Sequence, residues 1–305
     1  MTPAILHLSP HPDDELIGAP ATLMALRDAG WRVVNLACGL GRPDQLARRE
    51  AELREACRLA GFELRLPPLS AAIPDGGDRE PPRAALLAAV AAAIEETEPA
   101  IVVSPSPRDR HPAHELVAAV ARAALEQPRG PAPRWWMWGL WGPLPRPTLA
   151  TSFGKERLEE ILTALTAHQG ELERNDYRRL VRGRAEANSV LAPELLFGFG
   201  AAARQEPPYA ELLTEVVPAE GGWRLGAARW LDPDAPLPAP TAVGASRLAD
   251  AAVAGEGGID LLAVGEVEAA AGEGEDGSRE PGRGGAAGAD EAAALPAEGV
   301  VAPDP

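Results

Sequence analysis

Residues 4–20 read AILHLSPHPDDELIGAP. An apolar run ends at Ser9. One histidine and three acids, His11, Asp13, Asp14 and Glu15, then follow before Pro20 opens an amphipathic segment. An apolar run of this length is strand-like, and proline fits the first turn of a helix, so the stretch reads as strand, loop, helix. Acids at such a junction either offset a helix dipole or carry chemistry.

Working outward, the same alternation recurs. The apolar runs WRVVNLAC (31–38), FELRLPPL (62–69) and AIVVSPS (100–106) are separated by helical patterns, DQLARREAELREACRLAG (44–61) and PRAALLAAVAAAIEETE (82–98). Strand and helix in alternation predict an α/β fold: a Rossmann-like, mostly parallel sheet with helices on both faces and right-handed crossovers. Gly30 and Gly61 are placed to close the first two helices. A helix from about His114 to Glu126 precedes RWWMWGLWGP (134–143), which reads as a core strand able to wall a pocket. A long amphipathic stretch (155–191) and a C-terminal hairpin (211–231) complete the pattern.

The charge is uneven. The chain carries a net −16, but residues 241–305 hold 13 Asp or Glu against 3 Arg and no aromatic residue, leaving −6 for residues 1–240. Too little apolar surface is available there to offset ordering entropy, so we expect a domain over 1–240 and a disordered acidic Ala/Gly/Pro-rich tail over 241–305. Without clustered positive charge the chain is not expected to bind nucleic acid. No run of 18 apolar residues suggests a membrane span, and the N-terminus lacks a basic, long-apolar leader, so a cytoplasmic protein is expected. Cys38 and Cys57 read as reduced core residues. The composition leaves room for a homo-oligomer.

Two motifs fall at strand ends. HPDDE follows the first strand, and RDRHPAHE, with Asp109, His111 and His114, follows the fourth. Ligands of open α/β sheets bind outside those ends. His11 and Asp14 are three apart and face one point if the chain turns, whereas Asp13 projects differently. His111 and His114 share that spacing, with Pro112 set for a helix's first turn. Taken alone, DDE reads as dipole compensation and a histidine pair as solvated surface. Placed at equivalent ends of two parallel strands, one His and one Asp from the first loop plus one His from the second read as three N/O ligands with a fourth position for water. His7 inside the first strand reads as a satisfied core histidine, and Arg49 with Glu52 as a solvated helical ion pair.

SPHPDDE at the end of the first strand, with HPAH about 100 residues on, resembles the PIG-L / LmbE family of zinc-dependent N-deacetylases over roughly residues 4–200. The resemblance implies one Zn2+ per chain held by His11, Asp14 and His114, with Asp13 as general base and His111 assisting the tetrahedral intermediate. The same ligand types also accept Fe2+. Asp109 is placed to hold His111 protonated, and Glu15, Arg49 and His168 are candidates for a supporting or substrate role. Where the family often has His-Pro-Asp-His this chain has Ala113, and His168 lacks the usual Ser-Gln after it. CGLGRPDQLARRE (38–50) lacks the acidic Gly-rich loop of the mycothiol-pathway deacetylase.

The implied activity is hydrolysis of the acyl group from the amine of an N-acylglucosamine unit on a small metabolite or glycoconjugate, such as a glycopeptide precursor. Alternatives are a mycothiol-conjugate-type amidase and a non-catalytic, metal-containing binding module. Retention of Asp13 speaks against the binding module, and no His-Glu-x-x-His segment is present for a zinc protease.

Overall fold

The computed structural model describes residues 2–68, 72–74, 83–127, 132–200, 207–219, 222–238 and Ala252. In chain order the elements are β1 (Ala4–Ser9), α1 (Asp14–Ile17), α2 (Pro20–Asp28), β2 (Arg32–Ala37), β3 (Gly39–Gly41), α3 (Leu46–Ala60), β4 (Glu63–Arg65) and β5 (Ile73–Pro74). There follow α4 (Arg83–Thr97), β6 (Ile101–Pro105), α5 (Pro112–Leu125), β7 (Arg134–Trp138), β8 (Leu149–Phe153), α6 (Lys155–Leu165), α7 (Gln169–Arg174) and α8 (Tyr177–Phe197). The last strands are β9 (Tyr209–Ala219), β10 (Gly222–Leu225) and β11 (Arg229–Trp230). The expected tail over 241–305 lies outside the described residues apart from Ala252, which is buried.

The main sheet runs β11-β8-β9-β7-β6-β1-β2-β4, with β10 paired to β9. From β4 to β7 all pairs are parallel. Strand alternation assigns side chains to two cores. Ile5, Val33, Val103 and Trp136 point to the face covered by α2, α3, α6 and α8, and Leu6, Val34, Val102 and Trp135 to the face covered by α4 and α5. The sheet is therefore Rossmann-like with helices on both faces.

β1 pairs with β2 on one side and β6 on the other, so the chain reverses its direction of sheet growth between these two strands. The crevice at their carboxyl ends is the topological switch point. It is also where both motifs lie.

The amphipathic stretch 155–191 falls in three helices. His168 turns inward at φ −82°, ψ 61°, and Asn175 is extended, so α6, α7 and α8 are separate. Asp176 restarts the chain by accepting a hydrogen bond from the Arg179 N–H at 3.2 Å, an N-terminal cap. The hairpin β9–β10 forms, but β9 lies between β7 and β8, antiparallel to both. Its Glu211 accepts hydrogen bonds from the N–H groups of Ala21 (2.7 Å) and Thr22 (2.8 Å), capping α2 where no local side chain does so.

Candidate active site

The first loop is a tight turn. The Asp14 N–H bonds the His11 carbonyl at 3.3 Å, and the N–H groups of Leu16 and Ile17 bond the Asp13 carbonyl. Asp13 reaches this position with φ 132°, in a region that L side chains rarely occupy. Gly18 closes the turn against the sheet, because a Cβ there would come within 2.7 Å of the Trp138 ring.

Asp14 Oδ2 is the hub. It accepts from the His11 N–H at 2.8 Å and lies 3.1 Å from His11 Nδ1 and 3.5 Å from His114 Nε2. One ring nitrogen from each of His11, His111 and His114 falls within 4.8 Å of the others. His111 Nδ1 is buried without a hydrogen-bond partner among the described residues. Three imidazoles and a carboxylate thus offer N/O lone pairs to one point, a donor set suited to a divalent ion of the zinc or iron type.

The second loop is anchored by Asp109. Its Oδ2 lies 2.6 Å from His114 Nδ1, and its Oδ1 accepts from the N–H groups of Leu140 (2.5 Å), Trp141 (2.8 Å) and Gly142 (3.1 Å). Gly142 is required there, because a Cβ would run into the Arg108 carbonyl oxygen. The expected Asp109 partner was His111. The pairing falls instead on His114, since the first turn of α5 carries the buried His114 toward Asp109 and leaves His111 at the helix entrance. A carboxylate on one ring nitrogen aims the other at a metal position, and Trp138 backs the same ring edge-on at 5.3 Å.

The two adjacent acids are driven apart electrostatically. Burial, with the neighbouring Asp14 and Glu15 carboxylates, pushes Asp13 well above the usual carboxylate range. Burial acts on Asp14 in the same sense, but His114 and His11 outweigh it and hold Asp14 low. Burial also works to discharge His114, yet Asp14 and Asp109 raise it to about 10. His111 is pushed down to about 4 by burial and by its imidazole neighbours.

Glu15 and His168 are fully buried and face each other, His168 Nε2 to Glu15 Oε1 at 2.6 Å. His168 is therefore beneath the loop and not in the cavity. Arg49 is corrected from a solvated pair with Glu52: it is buried, 2.6 Å from Glu171, and donates to the Pro12 carbonyl. Glu52 pairs with Arg48 instead at 2.7 Å. The reason is the docking of α7 on α3, which turns the Arg49 face inward. His7 is satisfied as expected, with Nδ1 2.8 Å from Asn35 Oδ1 and Nε2 accepting from the Trp138 indole at 3.2 Å.

A cavity of about 380 Å³ opens onto these groups. Its outer wall comes from Trp141, within the Trp-rich segment expected to wall a pocket, and from Arg42, Gln45, Glu171, Arg174 and Tyr177, which the sequence did not mark. The six come from unrelated loops and from α7 and α8, and no local spacing marks the last five.

A parallel sheet whose switch point gathers two His/Asp loops around one cavity defines the class: a Rossmann-like α/β protein with a candidate N/O metal site at its switch point. The chain carries a PIG-L domain, residues 6–125 matching the family described as PIG-L, GlcNAc-PI de-N-acetylase. No curated protein matches the chain. Among solved structures it is similar to N,N'-diacetylchitobiose deacetylase from Pyrococcus horikoshii, at 18% identity and TM-score 0.52 over 70% of this chain and 83% of that one. It is similar to teicoplanin deacetylase in its zinc-inhibited form, at 18% identity and TM-score 0.53 over 72% and 100%. It is also similar to GalB, the 4-carboxy-2-hydroxymuconate hydratase of Pseudomonas putida KT2440, at 18% identity and TM-score 0.56 over 72% and 98%. One fold thus carries more than one reaction, and the choice of substrate belongs to the site. Among the described residues no helix is long and apolar enough to cross a membrane.

Proposed function

We propose that the chain hydrolyses the acyl group from the amine of an N-acylglucosamine unit on a small metabolite or glycoconjugate, using one zinc ion held by His11, Asp14 and His114. The observation that carries this reading is the position of Asp14 Oδ2 between His11 Nδ1 and His114 Nε2, with Asp13 lining the same cavity. When bound, zinc supplies a Lewis acid that polarises the acyl carbonyl and lowers the pKa of a water. Asp13, whose carboxylate lines the cavity, takes the proton of the attacking water. His111, at the cavity wall, donates to the oxygen on which negative charge develops. The proton held by Asp13 is then returned to the leaving amine. Trp141, partly exposed at the mouth, offers an apolar face for the sugar or its aglycone. We place this machinery within residues 1–240 and give 241–305 no part in it.

Elemental analysis joined to amine-release assays on N-acetylglucosamine conjugates tests the proposal. We expect about one divalent ion per chain, lost in His11→Ala, Asp14→Ala and His114→Ala, and amine release by the loaded wild type. Full metal occupancy in all three variants, or no amine from any N-acylglucosamine compound, would overturn it.

A further inference from the structure

Asp13 has an unusual backbone. Its φ of 132° is the most extreme positive value among the described non-glycine residues, and such conformations persist only where the surroundings over-determine them. The peptide is gripped from both sides. Its carbonyl accepts from Leu16 and Ile17, and its own N–H donates to Glu15 Oε2 at 3.1 Å.

The second grip is a long-range one. Glu15 Oε1 lies 2.6 Å from His168 Nε2, a residue 153 positions on. Both side chains are fully buried. The partner of Nε2 is a carboxylate oxygen, so this nitrogen carries the proton and donates. His168 Nδ1 has no partner among the described residues, so the ring is engaged through this one bond. His168 sits at the entrance to α7, whose Glu171 ion-pairs with Arg49, and Arg49 in turn holds the Pro12 carbonyl next to Asp13. The α6–α7 junction therefore touches the loop on both sides of Asp13. It lies beyond residues 6–125, the span matched by the family.

We propose that His168 is a positioning residue that acts through Glu15: by fixing the Glu15 carboxylate it fixes the Asp13 N–H, and so holds the strained backbone that aims the Asp13 carboxylate into the cavity. His168 touches neither the reacting atoms nor the metal donors. The inference rests on the reading of Asp13 as base, but its structural half stands apart from any substrate.

The test uses the full-length, zinc-loaded protein with three substitutions. His168→Leu fills similar space without a donor. His168→Gln carries its amide nitrogen about as far out as Nε2, whereas the His168→Asn nitrogen reaches only as far as Nδ1. For His168→Leu we expect kcat to fall about 10- to 100-fold with KM changed less than about twofold and zinc content retained. His168→Gln should recover most of the loss and His168→Asn should not. Amide hydrogen exchange at Asp13 should quicken about tenfold or more in His168→Leu and His168→Asn but not in His168→Gln, following the loss of the Glu15 bond.

A zinc-replete His168→Leu with wild-type kcat would overturn the proposal, as would a loss expressed only in KM or zinc content. If His168→Leu does not fold, the Gln and Asn variants decide, and equal kcat and equal Asp13 exchange in those two would overturn it. Should no substrate be hydrolysed even by the wild type, the base assignment fails while the exchange pattern still decides the positioning role.

Discussion

Asp14 and Glu215 are both carboxylates buried among nitrogen-bearing partners, and the two regions differ in what is left over. Glu215, on β9, receives Arg134 at 2.8 Å, Arg229 at 2.5 and 3.1 Å and the Trp136 indole at 2.9 Å. Every partner there is a donor, so the cluster is closed. Despite burial, Arg229 and Arg134 keep its carboxyl low. Asp14 also has its charge stabilised, but its partners are imidazoles with lone pairs, and the neighbouring His111 has a ring nitrogen left without a partner. A closed ionic cluster serves the fold, whereas an open one holds a place for a ligand. Burial of charge is common to both and separates neither.

Asp13→Asn strains this contrast most. With saturating zinc we expect metal content to hold and kcat to fall about 10²- to 10⁴-fold, roughly 3 to 5.5 kcal/mol of barrier. Asp14→Asn should instead lose metal. A metal-replete Asp13→Asn with more than about a tenth of wild-type kcat would remove Asp13 as base. At the closed cluster, Glu215→Gln should cost about 3 kcal/mol of stability by leaving two guanidinium groups uncompensated, read as a lower denaturation midpoint. Its zinc content and kcat should match wild type. A loss of metal there would show that the two regions are not independent.

Asp109→Asn probes the edge of the open cluster, where one carboxylate oxygen orients His114 and the other accepts from the loop after β7, an acceptor that Asn keeps. Zinc affinity should weaken about 10- to 100-fold without loss of fold, measured by competition with a chelator. The smallest effect should come from truncation after residue 238. It removes Ala252, one buried methyl-sized side chain worth about 0.8 kcal/mol, and should leave amine release unchanged. A large fall in kcat would place part of the machinery in the C-terminal segment.

Much of the fold was legible because periodicity is local. The run AILHLS before PHPDDE and the run IVVSP ahead of the RDRHPAH loop emerged as β1 and β6, and their separation by helical patterns is enough to imply parallel neighbours. The break at His168 was not legible, since its helical pattern continues on both sides and the break follows from a partner 153 residues away. The insertion of β9 between β7 and β8 was hidden for the same reason: strand pairing order is not written in either strand's own alternation.

The sequence by itself therefore determined the α/β class and the convergence of His11, Asp13, Asp14, His111 and His114, because residue type, short spacing and strand-end position are all local quantities. Tertiary structure decided which carboxylate serves which imidazole. It gave Asp109 to His114, Glu171 to Arg49 and Glu15 to His168, and it built the cavity wall from α7, α8 and the loop after β7. These partnerships depend on how whole helices dock on the sheet. Docking is set by the summed burial of both cores, a sum over many side chains that no single motif contains.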